Sequence, residues 1–161
     1  MAITEPYRVY LVEDDRMLAE EISRLLMKWG YEIRTAEMFD NILDEFLAVQ
    51  PHVVLMDVNI PSFDGFHWCK KIREISAVPI IYISSRDSSM DVIMGMNNGG
   101  DDYLAKPFDN AVLVARLQAV IRRAYEYNIQ EPHVLRYRGL TVHLEEAVAS
   151  YEDKKCELTK N

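Results

Sequence analysis

Basic charge is scarce in this chain: 18 Lys and Arg face 26 Asp and Glu over 161 residues, giving a net charge of −8. A nucleic-acid-binding surface needs clustered basic side chains, so any DNA contact is expected outside these residues. Cysteine is almost absent. Cys69 and Cys156 have neither metal-ligand nor redox spacing, which excludes a disulfide framework and fits a reducing compartment. No stretch of about 18 apolar residues occurs, and Met1 to Pro6 lacks the basic-then-apolar pattern of a secretion signal. A cytoplasmic protein with no membrane association is expected.

What is present is an alternation of short apolar runs with longer segments of helical period. The runs at 8–13, 31–35, 52–56, 79–83 and 102–104 predict strands, and 16–29, 38–49, 65–74, 88–97 and 109–126 predict helices. In the first helix Leu18, Ile22, Leu25, Leu26 and Trp29 recur at helical spacing, and Gly30 reads as its stop. Val78 to Ile83 is apolar almost throughout, as a strand buried on both faces should be. Five such units predict an α/β fold: a parallel, doubly wound, flavodoxin-like sheet over residues 1–127. Residues 128–133 read as a linker. From 134 to 161 the period changes to two, and short antiparallel hairpins are expected, with runs at 134–137, 140–144, near 147–151 and 154–158. About 28 residues is small for a self-stabilising core, and Thr159 resembles a helix cap without its helix. A fragment of a longer two-domain protein is therefore expected.

Three of the apolar runs stop abruptly in charge: at Glu13-Asp14-Asp15, at Asp57 and at Lys106-Pro107. In a parallel sheet the carboxyl ends of neighbouring strands lie side by side, so acids and one lysine should converge. Any one of these residues alone reads more simply as a solvated loop acid, a helix cap or a surface lysine. Together they suit a hard divalent cation such as Mg²⁺, with Asp14 and Asp57 as direct ligands, Glu13 through water and the Asn59 carbonyl as another oxygen. A strand-end carboxylate can also act as a nucleophile toward a phosphoryl group. Lys106 would neutralise charge on the transferred oxygens, and Ser84 would donate its hydroxyl to them.

Val12-Glu13-Asp14-Asp15, Leu55 to Pro61 with Asp64-Gly65, Ile83-Ser84-Ser85-Arg86, and Gly99 to Phe108 resemble, in order and spacing, the receiver domain of a two-component response regulator. The resemblance implies that Asp57 accepts a phosphoryl group from a sensor histidine kinase, with Mg²⁺ held by Glu13, Asp14, Asp57 and the Asn59 carbonyl. It implies that Lys106 contacts the phosphoryl group, that Ser84 moves toward it, and that Tyr103 turns inward with Ser84. Such a domain signals through its modified state; it is expected to be no enzyme beyond its own phosphorylation and dephosphorylation. Residues 134–158 resemble the sheet that opens the winged-helix domain of OmpR/PhoB-type regulators, so DNA binding is expected only through a C-terminal part absent from this chain. Phe66 to Glu74 and Ser84 to Asp87 resemble regulators of antimicrobial-peptide (bacitracin-type) resistance.

In OmpR/PhoB-type receivers the fourth helix, fifth strand and fifth helix form a homodimer with charged cross-pairs. Here Asp102 and Arg116 match one such pair, while Val92 and Val112 stand where opposite charges are usual. A homodimer through this face is the expectation. Rival readings are a phosphorylation-independent pseudo-receiver and a haloacid-dehalogenase-type phosphatase. The phosphatase needs a second acid two residues after its nucleophile, where this chain has Asn59.

Overall fold

Each of the five apolar runs becomes a strand of one parallel sheet. The computed structural model describes residues 5–126 together with the strand residues 134–137, 140–143 and 148–149. In chain order the elements are β1 (Arg8–Val12), α1 (Arg16–Lys28), β2 (Glu32–Thr35), α2 (Ile42–Val49), β3 (Val53–Asp57), α3 (Gly65–Arg73), β4 (Ile80–Ser84), α4 (Ser89–Asn97), β5 (Asp102–Ala105) and α5 (Asn110–Ile121). The sheet order is β2-β1-β3-β4-β5. The chain steps from β1 outward to β2 and then returns to the other side of β1, so the loops after β1 and β3 diverge and open a crevice between them.

The three central strands are sealed on both faces. Val9 to Val12, Val53 to Met56 and Ile80 to Ile83 have no solvent exposure, which is why they read as unbroken apolar runs rather than alternating ones. Helix α1 packs Ala19, Ile22 and Leu26 inward, and α5 packs Leu113, Leu117 and Val120.

Capping chemistry sets the helix limits. The Asp15 carboxylate accepts the Leu18 N–H at 3.2 Å, and Asp64 accepts the His67 N–H at 2.9 Å. Helix α1 ends on Gly30 at φ +92°, with Gly30 N–H on Met27 O and Tyr31 N–H on Leu26 O, a paired closure that needs a left-handed residue.

Three helical expectations shift. Helix α2 begins at Ile42 rather than 38, because Glu45 reaches back and accepts the main-chain N–H groups of Glu37 and Met38 while Asn41 caps the helix. Those bonds hold 37–41 as a loop against its helical pattern. The α-helical part of the last segment ends at Ile121, and Arg122–Glu126 continues as one wider, π-type turn. Trp29, placed on the apolar stripe of α1 by its spacing, is exposed at the helix end.

The chain divides into two compact units between Ile121 and Arg122. In the second, β6 (Val134–Tyr137), β7 (Leu140–His143) and β8 (Val148–Ala149) form an antiparallel sheet in the order β6-β7-β8, as the two-residue period predicts. The linker at 128–133 and the run at 154–158 lie outside the described residues.

Candidate functional site

The strand register brings the charged stops together. Val12 lies opposite Met56, Asp57 opposite Ile83, and Ser84 opposite Ala105. Glu13, Asp57, Ser84 and Lys106 thus follow one another across the carboxyl edge of β1, β3, β4 and β5. Asp14 stays exposed beside them, whereas Glu13 and Asp57 are each only 4% exposed and Ser84 is fully buried.

Lys106 joins the two buried acids. Its Nζ donates to Glu13 Oε1 at 2.7 Å and to Asp57 Oδ2 at 3.1 Å. The other oxygen of each acid accepts a main-chain N–H: Glu13 Oε2 from Asp15 at 3.0 Å, Asp57 Oδ1 from Asn59 at 3.3 Å. Both carboxylates are therefore held in place from two sides. Burial pushes the Glu13 carboxyl above its ordinary value, and the Lys106 contact only partly opposes this. For Lys106, burial favours the neutral amine, but the bonds and charges of Glu13 and Asp57 prevail and raise the ammonium above its usual range.

The acid set fits a divalent cation. Glu13, Asp14 and Asp57 each offer an oxygen within 4.8 Å of the others, and all the donors are the hard oxygens that Mg²⁺ requires. With three carboxylates ionised against the single Lys106 ammonium, two negative charges remain at the site. One divalent cation balances them. Asp15, the last of the acidic triplet, is the cap of α1, and Asp64 is the cap of α3.

Ser84 and Tyr103 are linked through Arg86. The Arg86 N–H donates to Ser84 Oγ at 3.0 Å, and the Tyr103 hydroxyl donates to the Arg86 carbonyl. Tyr103 lies half-buried, tilted against Tyr82 at 5.5 Å between ring centroids, and burial raises its phenol pKa. The Ser84 oxygen accepts the Arg86 amide and keeps its own O–H to donate.

Two contributions escaped the sequence reading. Gly65 was part of a recognisable pattern with no reason attached; here its N–H donates to Val58 O at 2.8 Å and its backbone lies against that of Asp57. Arg86 stands in the motif that follows β4, but its guanidinium points to Asp91 on α4, a partner that no local spacing announces.

At the expected dimer face, Asp102 and Arg116 bond to each other within the single chain at 2.8 Å. Val92 is half-buried and Val112 exposed. Helix α4 buries only Gly95 and leaves Met90, Ile93, Met94 and Met96 exposed. Among the described residues no helix is long and apolar enough to cross a membrane.

Known proteins resemble this chain in sequence and in fold. Residues 9–118 match the family described as response regulator receiver domain. The response regulator protein GraR of Staphylococcus epidermidis is 40% identical over 153 residues, covering 95% of this chain and 68% of GraR. The sensory transduction protein BceR of Bacillus subtilis is 42% identical over 155 residues, covering 96% of this chain and 67% of BceR. Among solved structures, the N-terminal domain of the nisin resistance regulator NsrR, a lantibiotic response regulator, is 38% identical with a TM-score of 0.66 over 72% of this chain and 98% of that one. Receivers are signalling domains that work with a histidine kinase. By sequence and by fold, this chain belongs to the response regulator receiver domain family.

Proposed function

We propose that Asp57 is the phosphoacceptor of this receiver. The observation that carries the reading is the Asp57 carboxylate itself: buried at a strand end, 3.1 Å from the Lys106 ammonium and grouped with Glu13 and Asp14. An Asp57 oxygen attacks the phosphorus carried by the kinase histidine, the P–N bond breaks, and an acyl phosphate forms. Lys106 neutralises charge on the transferred oxygens, and the Ser84 hydroxyl donates to one of them. Glu13, Asp14, Asp57 and the Asn59 carbonyl would hold Mg²⁺. That ion supplies charge neutralisation at the phosphoryl oxygens. Tyr103, tied to the same loop as Ser84, carries the change toward α4 and β5.

The output follows from association. The exposed apolar residues of α4, with Val112, Asp102 and Arg116, form the face through which two copies pair, and the Asp102–Arg116 bond exchanges partners on pairing. DNA binding by a winged-helix domain, beginning in the antiparallel second unit, is the response controlled, in the cytoplasm. The likeness to NsrR supports resistance to antimicrobial peptides as its setting.

The test is intact mass after incubation with Mg²⁺ and acetyl phosphate. One retained phosphoryl group, abolished in Asp57→Ala, is the expected result. Turnover without an adduct would favour a phosphatase, and no adduct under any condition would favour a pseudo-receiver.

A further inference from the structure

Arg86 is held at four points. Its N–H donates to Ser84 Oγ at 3.0 Å, and its carbonyl accepts the Tyr103 hydroxyl. Its guanidinium donates to Asp91 Oδ1 from Nε at 3.2 Å and from Nη2 at 2.9 Å, and it lies over the Phe66 ring, 5.3 Å from the centroid. Phe66 is itself only 4% exposed and packs edge-on against Tyr82. The guanidinium therefore rests against a buried, fixed ring.

Asp91 divides its two oxygens. While Oδ1 takes Arg86, Oδ2 accepts the Ser88 hydroxyl at 2.8 Å and the Ser88 N–H at 3.3 Å, and Ser88 Oγ accepts the Asp91 N–H at 3.1 Å. The second set is the reciprocal cap that starts α4. One carboxylate thus fixes both the first turn of α4 and the loop segment that bridges Ser84 to Tyr103. A cap alone needs Oδ2 only; the Arg86 contact is additional to it.

We propose that Asp91 is a positioning residue of the phosphoryl site, acting through Arg86: it sets the Arg86 main chain so that Ser84 and Tyr103 are held together, and it ties that setting to the position of α4. Moving α4 and releasing the Ser84–Arg86–Tyr103 bridge then become one event. Such coupling requires a contiguous element both ends of which respond to the same bond, and the two oxygens of Asp91 supply it. The inference rests on the phosphoacceptor reading for its effect on Asp57, but its structural half stands without it.

The experiment compares the full chain with Asp91→Asn, Ser88→Ala, Arg86→Gln and the Arg86→Gln/Asp91→Asn double variant. Asp91→Asn leaves one oxygen for two tasks, whereas Ser88→Ala removes the reciprocal cap and leaves Oδ1 on Arg86. The first measurement, amide hydrogen exchange at Arg86 in unphosphorylated protein, needs no modification of Asp57. Exchange should accelerate about fivefold or more in Asp91→Asn, as for loss of a partly buried pair, and stay within about twofold in Ser88→Ala. The second is the rate of adduct formation from acetyl phosphate with Mg²⁺, which should fall in Asp91→Asn and in Arg86→Gln, with no further fall in the double variant. Unchanged Arg86 exchange in Asp91→Asn, equal effects of Asp91→Asn and Ser88→Ala, or full additivity in the double variant would each overturn the proposal. If the unsubstituted protein takes no phosphoryl group, the phosphoacceptor reading fails while the exchange measurement still decides the role of Asp91.

Discussion

Gly65 lies so close to Asp57 that a side chain at position 65 would overlap the Asp57 main-chain carbonyl; its Cβ would also stand 2.9 Å from Met56 Cγ and 3.0 Å from Val58 Cα. Two of these three neighbours are backbone atoms and cannot swing away. Gly65→Ala must therefore push α3 off the end of β3. A loss of about 1–3 kcal/mol in urea unfolding is expected from such overpacking, together with slower formation of the Asp57 adduct. Unfolding indistinguishable from that of the unsubstituted protein would mean that α3 yields freely.

The uncompensated charge of the acidic group gives the next expectation. The proposed Mg²⁺ site needs the folded arrangement of Glu13, Asp14 and Asp57, so the ion should raise stability, by about 2.7 kcal/mol at a hundredfold excess over its dissociation constant. Asp14→Asn removes the exposed acid. In EDTA this variant should unfold at a higher temperature than the unsubstituted protein, since repulsion is relieved, and it should lose most of the gain on adding Mg²⁺. Calorimetric scans with and without the ion check both signs.

The fold was legible because the signals that built it were local. Val53 to Met56 and Ile80 to Ile83 are apolar at every position, and they form the fully buried strands that such runs predict. The charged stops were legible for the same reason, since in parallel register the stops become neighbours. Where a tertiary contact overruled the local pattern, the reading slipped. Residues 38–41 have helical periodicity, but Glu45 takes their approach to α2 into a loop and also accepts the Tyr10 hydroxyl at 2.7 Å from β1. Asp15 sits in an acidic triplet with Glu13 and Asp14, and only the geometry of α1 separates the cap from the other two. Neither the need for glycine at 65 nor the Arg86–Asp91 bond leaves any mark in sequence spacing.

At the opposite end of the strands, the Arg8 main-chain N–H donates to His52 Nδ1 at 2.8 Å, a bond that requires Nδ1 to be unprotonated. Burial lowers the His52 pKa below its ordinary 6.5, and the Arg8 charge adds to the effect while Glu32 and Glu5 oppose it. The unfolded chain therefore binds a proton at a pH where the folded one does not. This contribution to stability is complete above about pH 6.5 and is lost as the pH falls toward the folded-state value. His52→Asn keeps an acceptor for Arg8 without a titrating ring. Urea midpoints at about pH 7.5 and 5.5 should converge more in this variant than in the unsubstituted protein; an identical pH dependence in the two would remove His52 as the cause.

Ile93 tests the proposed pairing face. It is 51% exposed on α4, so Ile93→Glu should change the stability of the monomer by no more than about 0.5 kcal/mol. Placed within a dimer contact, the same carboxylate would be buried without a partner. Sedimentation with Mg²⁺ and acetyl phosphate should show the dimer of the unsubstituted protein and a monomer for the variant. Equal dimerisation of both would move the interface elsewhere, and a monomer in both would dismiss it.

The bond from Lys106 to Glu13 spans 93 residues and that to Asp57 spans 49. Ribosomal synthesis proceeds from the amino end, so β1 and β3 emerge well before the segment that carries Lys106. A nascent chain with four strands exposed already holds Asp57 but lacks the ammonium that faces it. On the role proposed for Lys106, the site that faces the phosphoryl group would be completed only by one of the last parts of the domain to be made.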